Sequence, residues 1–208
     1  MKIVVLGSFN MDLVMRAERR PAAGETLQGE FAMHLGGKGF NQAIAARRLG
    51  AEVSVIGRVG DDEFGRAFIA ALEREGIDHR YVAHDAEAGT GVASIIVEPD
   101  GGNAIVQAPR ANRRVAPADI AAARDALAAA AVAMLQLETS DEAAIAFAQS
   151  ARDAGATVLL NPAPAAAVPD TLLALADVVV PNEVEAETLT GPRIDTIDDA
   201  YAAGDALR

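Results

Sequence analysis

The segment Gly36-Gly37-Lys38-Gly39-Phe40-Asn41-Gln42 sets glycines, a cation and two amides directly ahead of an alanine-rich stretch ending at Leu49-Gly50. This pattern predicts a loop feeding a helix N-terminus. Glycines there let the backbone approach a ligand closely, while the first helical N–H groups lack internal partners and sit at the positive end of the helix dipole. Such a place suits oxygens, of a phosphate or of sugar hydroxyls. Lys38 adds a charge, and Asn41 an amide that donates and accepts, as recognition of a polyhydroxylated ligand requires. Taken alone, the cluster reads equally as a glycine-rich turn with a solvated lysine. Two stricter patterns fail. A Walker-type loop ends in Lys-Ser or Lys-Thr, whereas Gly39-Phe40 follows Lys38; and Gly7-Ser8-Phe9-Asn10-Met11-Asp12 lacks the second glycine of a dinucleotide fingerprint.

Other polar residues fall just beyond short apolar runs. Lys2-Ile3-Val4-Val5-Leu6, closed by Gly7, has the pattern of a strand buried on both faces of a parallel sheet. Asn10 and Asp12 follow it. Two apart in extended chain, they share one side and can reach one ligand. The runs 132–137, 157–160 and 177–180 lead in the same way to Glu138, Asn161 and Asn182. In a parallel α/β sheet the carboxyl ends of strands converge on a crevice where ligands bind, which makes Asn10, Glu138, Asn161 and Asn182 candidates together. Each has an ordinary alternative: Asn and Asp close turns, Glu138 and Asn182 can neighbour helix caps, and Glu185 can be a surface acid near a helix N-terminus. His34, His79 and His84 have no Asp or Ser partner at recognisable spacing and are expected on the surface or in loops. Arg47-Arg48 reads as a solvated helix patch.

The elements that would position these residues alternate between strand and helix. A strand at 53–56 is followed by Asp61-Asp62 as an N-cap and by Phe64, Ala67, Phe68, Ala71 and Leu72 at helical spacing up to Gly76. The helix after Asn41 is small nearly all round, which suits an interior position. An alanine-rich helix starts at Pro117, and Thr139 with Glu142 has capping-box spacing for a helix closed by Gly155. Two segments break the rhythm. Leu27, Phe31, Met33 and Leu35 alternate with polar residues beyond the turn Pro21-Ala22-Ala23-Gly24, and the runs 92–97 and 103–107 flank Glu98-Pro99-Asp100-Gly101-Gly102 as a hairpin. Both are assigned to a small flap.

At 208 residues, 51% hydrophobic and 23% charged, the chain fits one domain with a sizeable core. The absence of cysteine removes disulfides, thiolate nucleophiles and zinc–thiolate sites. With no signal peptide at Met1-Lys2-Ile3 and no apolar run of spanning length, a cytoplasmic protein without membrane contact is expected. A net charge of −12 argues against a nucleic-acid partner. A magnesium-bound nucleotide stays compatible, because metal and local backbone dipoles can outweigh the global charge.

From Gly7 onward the chain resembles the ribokinase branch of the PfkB family of sugar kinases. Gly7-Ser8-Phe9-Asn10-Met11-Asp12 is similar to the family's first-strand sugar element, Pro21-Ala22-Ala23-Gly24-Glu25-Thr26 to its lid turn, and Gly36 to Gln42 with Gly57-Arg58-Val59-Gly60-Asp61-Asp62-Glu63-Phe64-Gly65 to its N-terminal signature. Gln136-Leu137-Glu138, Asn161-Pro162-Ala163-Pro164-Ala165 and Pro181-Asn182-Glu183-Val184-Glu185 resemble this branch more than fructokinase or adenosine kinase. The resemblance implies a Rossmann-like, mostly parallel α/β sheet flanked by helices, in one domain over residues 1–208, with a β lid at about 12–35 and 90–110 that pairs with the lid of a second copy. It also implies ATP-dependent phosphorylation of the ribose 5-hydroxyl with Mg2+ and a monovalent cation (K+). Asn10, Asp12, Gly37, Lys38, Gly39, Asn41 and Glu138 match positions that hold the sugar. Asn182 matches a nucleotide-contacting position, and Glu185 one that orders magnesium and phosphate through water.

The chain departs from the family where catalysis is concerned. The family's Gly-Ala-Gly-Asp segment supplies the anion hole and the base, and its place, with the monovalent-cation site and most of the adenine pocket, is expected beyond Arg208. Ala202-Ala203-Gly204-Asp205 imitates that segment but follows Asn182-Glu183-Val184-Glu185 too soon. Pro109-Arg110 stands where small residues are usual in the lid. Two alternatives stay open: a kinase for another alcohol, such as fructose or a nucleoside, and a noncatalytic carbohydrate-binding or lid-mediated dimerisation protein.

Overall fold

The computed structural model of the chain describes residues 1–207. Its strands are β1 (Lys2–Leu6), β2 (Asn10–Arg16), β3 (Glu30–Gly36), β4 (Glu52–Gly60), β5 (Asp78–Asp85), β6 (Gly91–Val97), β7 (Asn103–Ala108), β8 (Val132–Leu135), β9 (Thr157–Leu160) and β10 (Val178–Val179). The helices are α1 (Lys38–Arg48), α2 (Glu63–Glu75), α3 (Pro117–Ala122), α4 (Arg124–Ala128), α5 (Asp141–Asp153), α6 (Asp170–Leu173), α7 (Glu183–Thr190) and α8 (Ile197–Ala206), with a short 3-10 turn at Arg110–Arg114. Among the described residues, six strands form an all-parallel sheet in the order β10-β9-β8-β1-β4-β5. The other four form a smaller sheet, β3-β2-β6-β7.

Burial explains why β1 lies at the centre. Val4 and Leu6 pack into a core with Ile120, Leu127, Phe147 and Leu172 from α3–α6, while Ile3 and Val5 pack into a second core with Phe40, Ala43, Phe68 and Leu72 from α1 and α2. Alternate side chains of one strand thus serve both faces, as a helix-covered parallel sheet requires. The chain leaves β1 for β4 on one side and for β8 on the other. The strand order therefore reverses at β1, the place where an open α/β sheet forms its ligand crevice. No helix among the described residues is long and apolar enough to cross a membrane.

Several local expectations are corrected. Asn10 and Asp12 are in extended chain as expected, and the strand they share, β2 of the smaller sheet, begins at Asn10, two residues before the expected start of the lid. Helix α1 is no interior helix: it buries only Gly39, Phe40 and Ala43, and Ala45 is exposed. Strand β8 stops at Leu135, and the segment after Pro117 splits into α3 and α4 at Ala123. The cap of α5 is Ser140, whose hydroxyl accepts the Ala143 N–H, while the Thr139 hydroxyl is buried without a partner among the described residues. The strand expected at 53–56 extends over Glu52–Gly60, and β5 is unanticipated. The histidines lie in strands, with His34 of β3 and His84 of β5 exposed at the surface as expected and His79 of β5 half-buried. Arg47 donates to the Glu75 and Ala51 carbonyls and Arg48 pairs with Glu75, so this patch ties α1 to α2.

The root of the smaller sheet is anchored by charge. Asp85, only 4% exposed at the end of β5, accepts from the backbone N–H groups of Glu87 and Ala88 at 3.0 and 2.8 Å. It also pairs with Arg114 at 2.7 Å and with Arg58 at 3.2 Å, and Arg58 reaches on to Asp119 at the start of α3. Burial pushes its carboxyl up, but the two amides and two guanidinium groups outweigh that and hold it at about 2. A folded value below the unfolded one contributes stability above about pH 4 that is lost as the pH falls towards 2. We expect Asp85→Asn to cost roughly 1.5–3 kcal/mol at pH 7, the worth of hydrogen bonds to a charged group. Thermal melts between pH 7 and 2 check this: the gap between parent and variant should close across the acid range, and a pH-independent gap would contradict the assignment.

Candidate functional site

The glycine loop and α1 are placed by contacts distant in sequence. Gly37, at φ 98°, is the N-cap of α1 but offers no side chain to cap it. The Lys38 N–H instead donates to Glu138 Oε2 at 2.8 Å, the Gly39 N–H to Ser8 Oγ at 3.1 Å and the Phe40 N–H to the Ser8 carbonyl at 3.2 Å. Ser8 Oγ–H in turn donates to Glu138 Oε2 at 2.5 Å. The close approach demands glycine: a Cβ at Gly39 would lie 2.5 Å from the Ser8 nitrogen. These amides are therefore consumed within the protein. The expectation that they meet ligand oxygens directly is corrected, because buried N–H groups are satisfied first by the nearest fixed acceptors.

What faces the crevice is side chains. Glu138, 9% exposed, also accepts from Gln107 Nε2 of β7 at 3.2 Å, which links the smaller sheet to the switch point of the larger one. Asp12 is half-buried above Gly36, where a Cβ would stand 2.7 Å from its Cγ. Burial pushes the Asp12 carboxyl up, the Glu138 carboxylate pushes the same way, and His34 pulls it down. Asn10, 2% exposed, is oriented by Asn112 Nδ2, which donates to Asn10 Oδ1 at 3.0 Å and to the Phe9 carbonyl at 2.9 Å. Asn41 is exposed one turn into α1, and among the described residues no salt bridge holds the Lys38 ammonium. Beneath them Phe9, Phe40 and Phe68 form a ring cluster with centroids 5.0–6.3 Å apart. Asn10 and Asn41 thus each follow a buried aromatic anchor in the chain.

A row of amides crosses the crevice towards β10. Gln136 Nε2 donates to Gln42 Oε1 at 2.5 Å, Gln42 Nε2 to Asn161 Oδ1 at 3.4 Å, and Asn161 Nδ2 to Glu185 Oε2 at 3.4 Å. Asn182 and Glu185 form a reciprocal capping box at the start of α7. Glu185 is only 4% exposed, so it is no surface acid. Among the described residues no three acidic or histidine side chains group closely enough to hold a metal directly. The Glu185 carboxylate, buried and carrying amide donors, fits an outer position near a cation that keeps most of its own water.

The structure brings Asn10, Asp12, Gly37, Lys38, Gly39, Asn41 and Glu138 to one end of the crevice and places Asn182 and Glu185 at the other. Sequence reasoning gave no separate role to Ser8, Gln42, Gln107, Asn112 or Gln136. Ser8 and Gln136 had a signal, as polar residues at the carboxyl ends of buried strands; Asn112 and Gln107 had none. Ala202 to Asp205 lie inside α8, whose backbone N–H groups are helical, so they do not form an anion hole.

The family model for pfkB family carbohydrate kinases matches residues 1–208. The chain is 41% identical over 195 residues to a ribokinase of Staphylococcus aureus, covering 93% of this chain and 64% of that protein. It is 39% identical to a deoxyribokinase of Salmonella typhi over 209 residues, covering 100% of this chain and 68% of that one. The solved structure of Arabidopsis thaliana ribokinase complexed with ribose and ATP superposes with a TM-score of 0.89 at 30% identity, over 99% of this chain and 68% of that chain. The chain thus spans a little under two thirds of the Staphylococcus aureus relative. With the parallel sheet, its switch point and the glycine loop in agreement, this chain belongs to the PfkB family of carbohydrate kinases.

Proposed function

We propose that these residues form the sugar-binding part of an ATP-dependent kinase that phosphorylates D-ribose at its 5-hydroxyl. The observation that carries this reading is the convergence of Asp12, Asn10, Lys38, Asn41 and Glu138, from three segments, on the carboxyl-end crevice of a PfkB-family sheet. Carboxylates and amides in such a cluster read vicinal hydroxyls. Asn182 and Glu185, at the other end of the crevice, are assigned to the nucleotide, and the Arabidopsis relative solved with ribose and ATP supports the use of ATP. Magnesium carried with the triphosphate would neutralise charge on the phosphoryl oxygens, with Glu185 ordering its water. The monovalent cation remains an implication of the family.

The smaller sheet serves in this reading as a lid and as the contact with a second copy. Its face bearing Asn10, Asp12 and Gln107 turns to the site, and alternation puts Met15, Phe31, Met33 and Val106 on the opposite face. These four are 44%, 54%, 54% and 76% exposed, an apolar cluster that self-pairing would cover.

Three outcomes are expected. By calorimetry, Asp12→Ala and Asn41→Ala should each lose about 1–3 kcal/mol of D-ribose affinity, roughly five- to 150-fold; unchanged affinity in both would reject the sugar site. 2-Deoxy-D-ribose, run in parallel because a deoxyribokinase is a relative, distinguishes the two sugars. In a coupled ADP-release assay the 208-residue chain should show no ribose-dependent turnover, since loss of one anion-hole donor costs about a hundred- to a thousandfold and loss of a base about a hundred- to ten-thousandfold. A C-terminally extended protein should be active and indifferent to Asp205→Asn, whereas activity of the 208-residue chain abolished by Asp205→Asn would overturn this reading. Finally, light scattering should find a dimer that Met33→Lys converts to a monomer with an unchanged melting temperature; a monomeric parent would exclude lid pairing.

A further inference from the structure

Gln107 touches Glu138, yet the proposed chemistry gives it no role of its own. It lies on β7, an edge strand of the smaller sheet, directly opposite Ala93 of β6, which in turn stands opposite Asp12 of β2. Paired residues share a face of a sheet, so Asp12 and Gln107 belong to one face with two strand spacings, roughly 9.5 Å, between them. Ala93, buried between the two, puts no polar group there. The Glu138 carboxylate meets this row from the larger sheet, where its Oε1 accepts from Gln107 Nε2 at 3.2 Å.

The two oxygens of Glu138 are used differently. Oε2 takes the Ser8 hydroxyl and the Lys38 N–H, both fixed by the fold. Oε1, among the described residues, takes only Gln107, an exposed side chain. Because a carboxylate only accepts, the Gln107 amide turns its NH2 to Glu138. One of its two hydrogens is held by Oε1 and the second is left over, while Oε1 keeps a further lone pair. An acceptor from one sheet and a donor from the other thus stand side by side in the crevice. Two neighbouring hydroxyls of a sugar are spaced much as Oε1 and Nε2 are. One can donate to Oε1 while its neighbour accepts the second N–H of Gln107, and the Gln107–Glu138 hydrogen bond stays intact.

We propose that Gln107 is a specificity-determining residue of the sugar site, which reads a vicinal diol jointly with Glu138: one hydroxyl donates to Glu138 Oε1 and the adjacent one accepts from Gln107 Nε2. The proposal rests on the sugar-site reading and adds to it the group that senses the second hydroxyl. An analogue lacking that hydroxyl leaves Gln107 paired with Glu138 as before. Discrimination is therefore set by a hydrogen bond gained, not by a buried group left unpaired, and it is modest.

Calorimetry with D-ribose and its 1-, 2-, 3- and 5-deoxy analogues tests this in the parent, Gln107→Met and Gln107→Ala. Met keeps the length of the side chain without a donor, and Ala removes its bulk as well. D-Ribose affinity should fall roughly 2- to 12-fold in both variants, the worth of one neutral hydrogen bond. A single deoxy analogue, the same one for both variants, should bind parent and variants equally, while the others lose affinity as D-ribose does. Losses equal for every sugar mark a general effect on the smaller sheet and would overturn the proposal, as would unchanged D-ribose affinity. A parent that binds neither D-ribose nor any analogue rejects the sugar reading and this proposal with it, whereas binding by the parent with uniform losses overturns the proposal alone.

Discussion

A single buried carboxylate organises the crevice. Glu138 joins the loop after β8 to Ser8 after β1, to the first amide of α1 and to Gln107 of β7, segments up to 130 residues apart in the chain. A carboxylate in this position is costly unless donors surround it, and here three donors do. The same contacts supply the missing cap of α1, whose N-cap is a glycine without a side chain. Satisfying Glu138 and satisfying the helix terminus are one event, so the loop, the central strand and the smaller sheet are positioned together.

The consequence is a division of labour between backbone and side chains. Amides at the start of α1 are spent on Ser8 and Glu138, and those at the start of α7 are similarly engaged by the Asn182–Glu185 box. The side chains of Asp12, Asn10, Lys38 and Asn41 are left as the proposed groups for ligand recognition, above the Phe9–Phe40–Phe68 cluster. Aromatic packing of this kind fixes direction as well as distance, because a ring that tilts displaces its neighbours in a dense core. The row of Gln136, Gln42, Asn161 and Glu185 then carries polar order from one end of the crevice to the other.

The smaller sheet sits at the boundary between the site and the surface. One face carries Asn10, Asp12 and Gln107, the last reaching Glu138, and the other is apolar and exposed towards its tip. Its strands leave the larger sheet through the Asp85, Arg58 and Arg114 network. There Arg110, at φ 47°, donates to the Thr90 carbonyl at 3.1 Å, and Gly89 has no side chain to obstruct its guanidinium. The arginine that looked out of place in the sequence is accommodated by its glycine neighbour.

Much of the architecture was legible in the chain itself. The unbroken run Lys2–Leu6, the Asp62 cap and Gly76 stop of α2, the hairpin around Gly101, and the polar residues after β8, β9 and β10 are local signals, set by side-chain periodicity and backbone freedom within a few residues. Strand β5 was not legible, because Asp78–Asp85 mixes charge and histidine and becomes a strand only by pairing with β4. Nor was the cap of α5: Ser140 and Thr139 are chemically alike, and which hydroxyl caps depends on how the chain leaves the Glu138 contact. The sequence by itself determined which polar residues follow the apolar runs and, β5 apart, which segments are strands of the parallel sheet. Only the tertiary structure decided which donors Glu138 would consume, that Asn10 and Asp12 belong to the smaller sheet, and that Gln107 reaches Glu138. Those outcomes are set by strand register and by burial, and both exist only once residues distant in the chain are packed together.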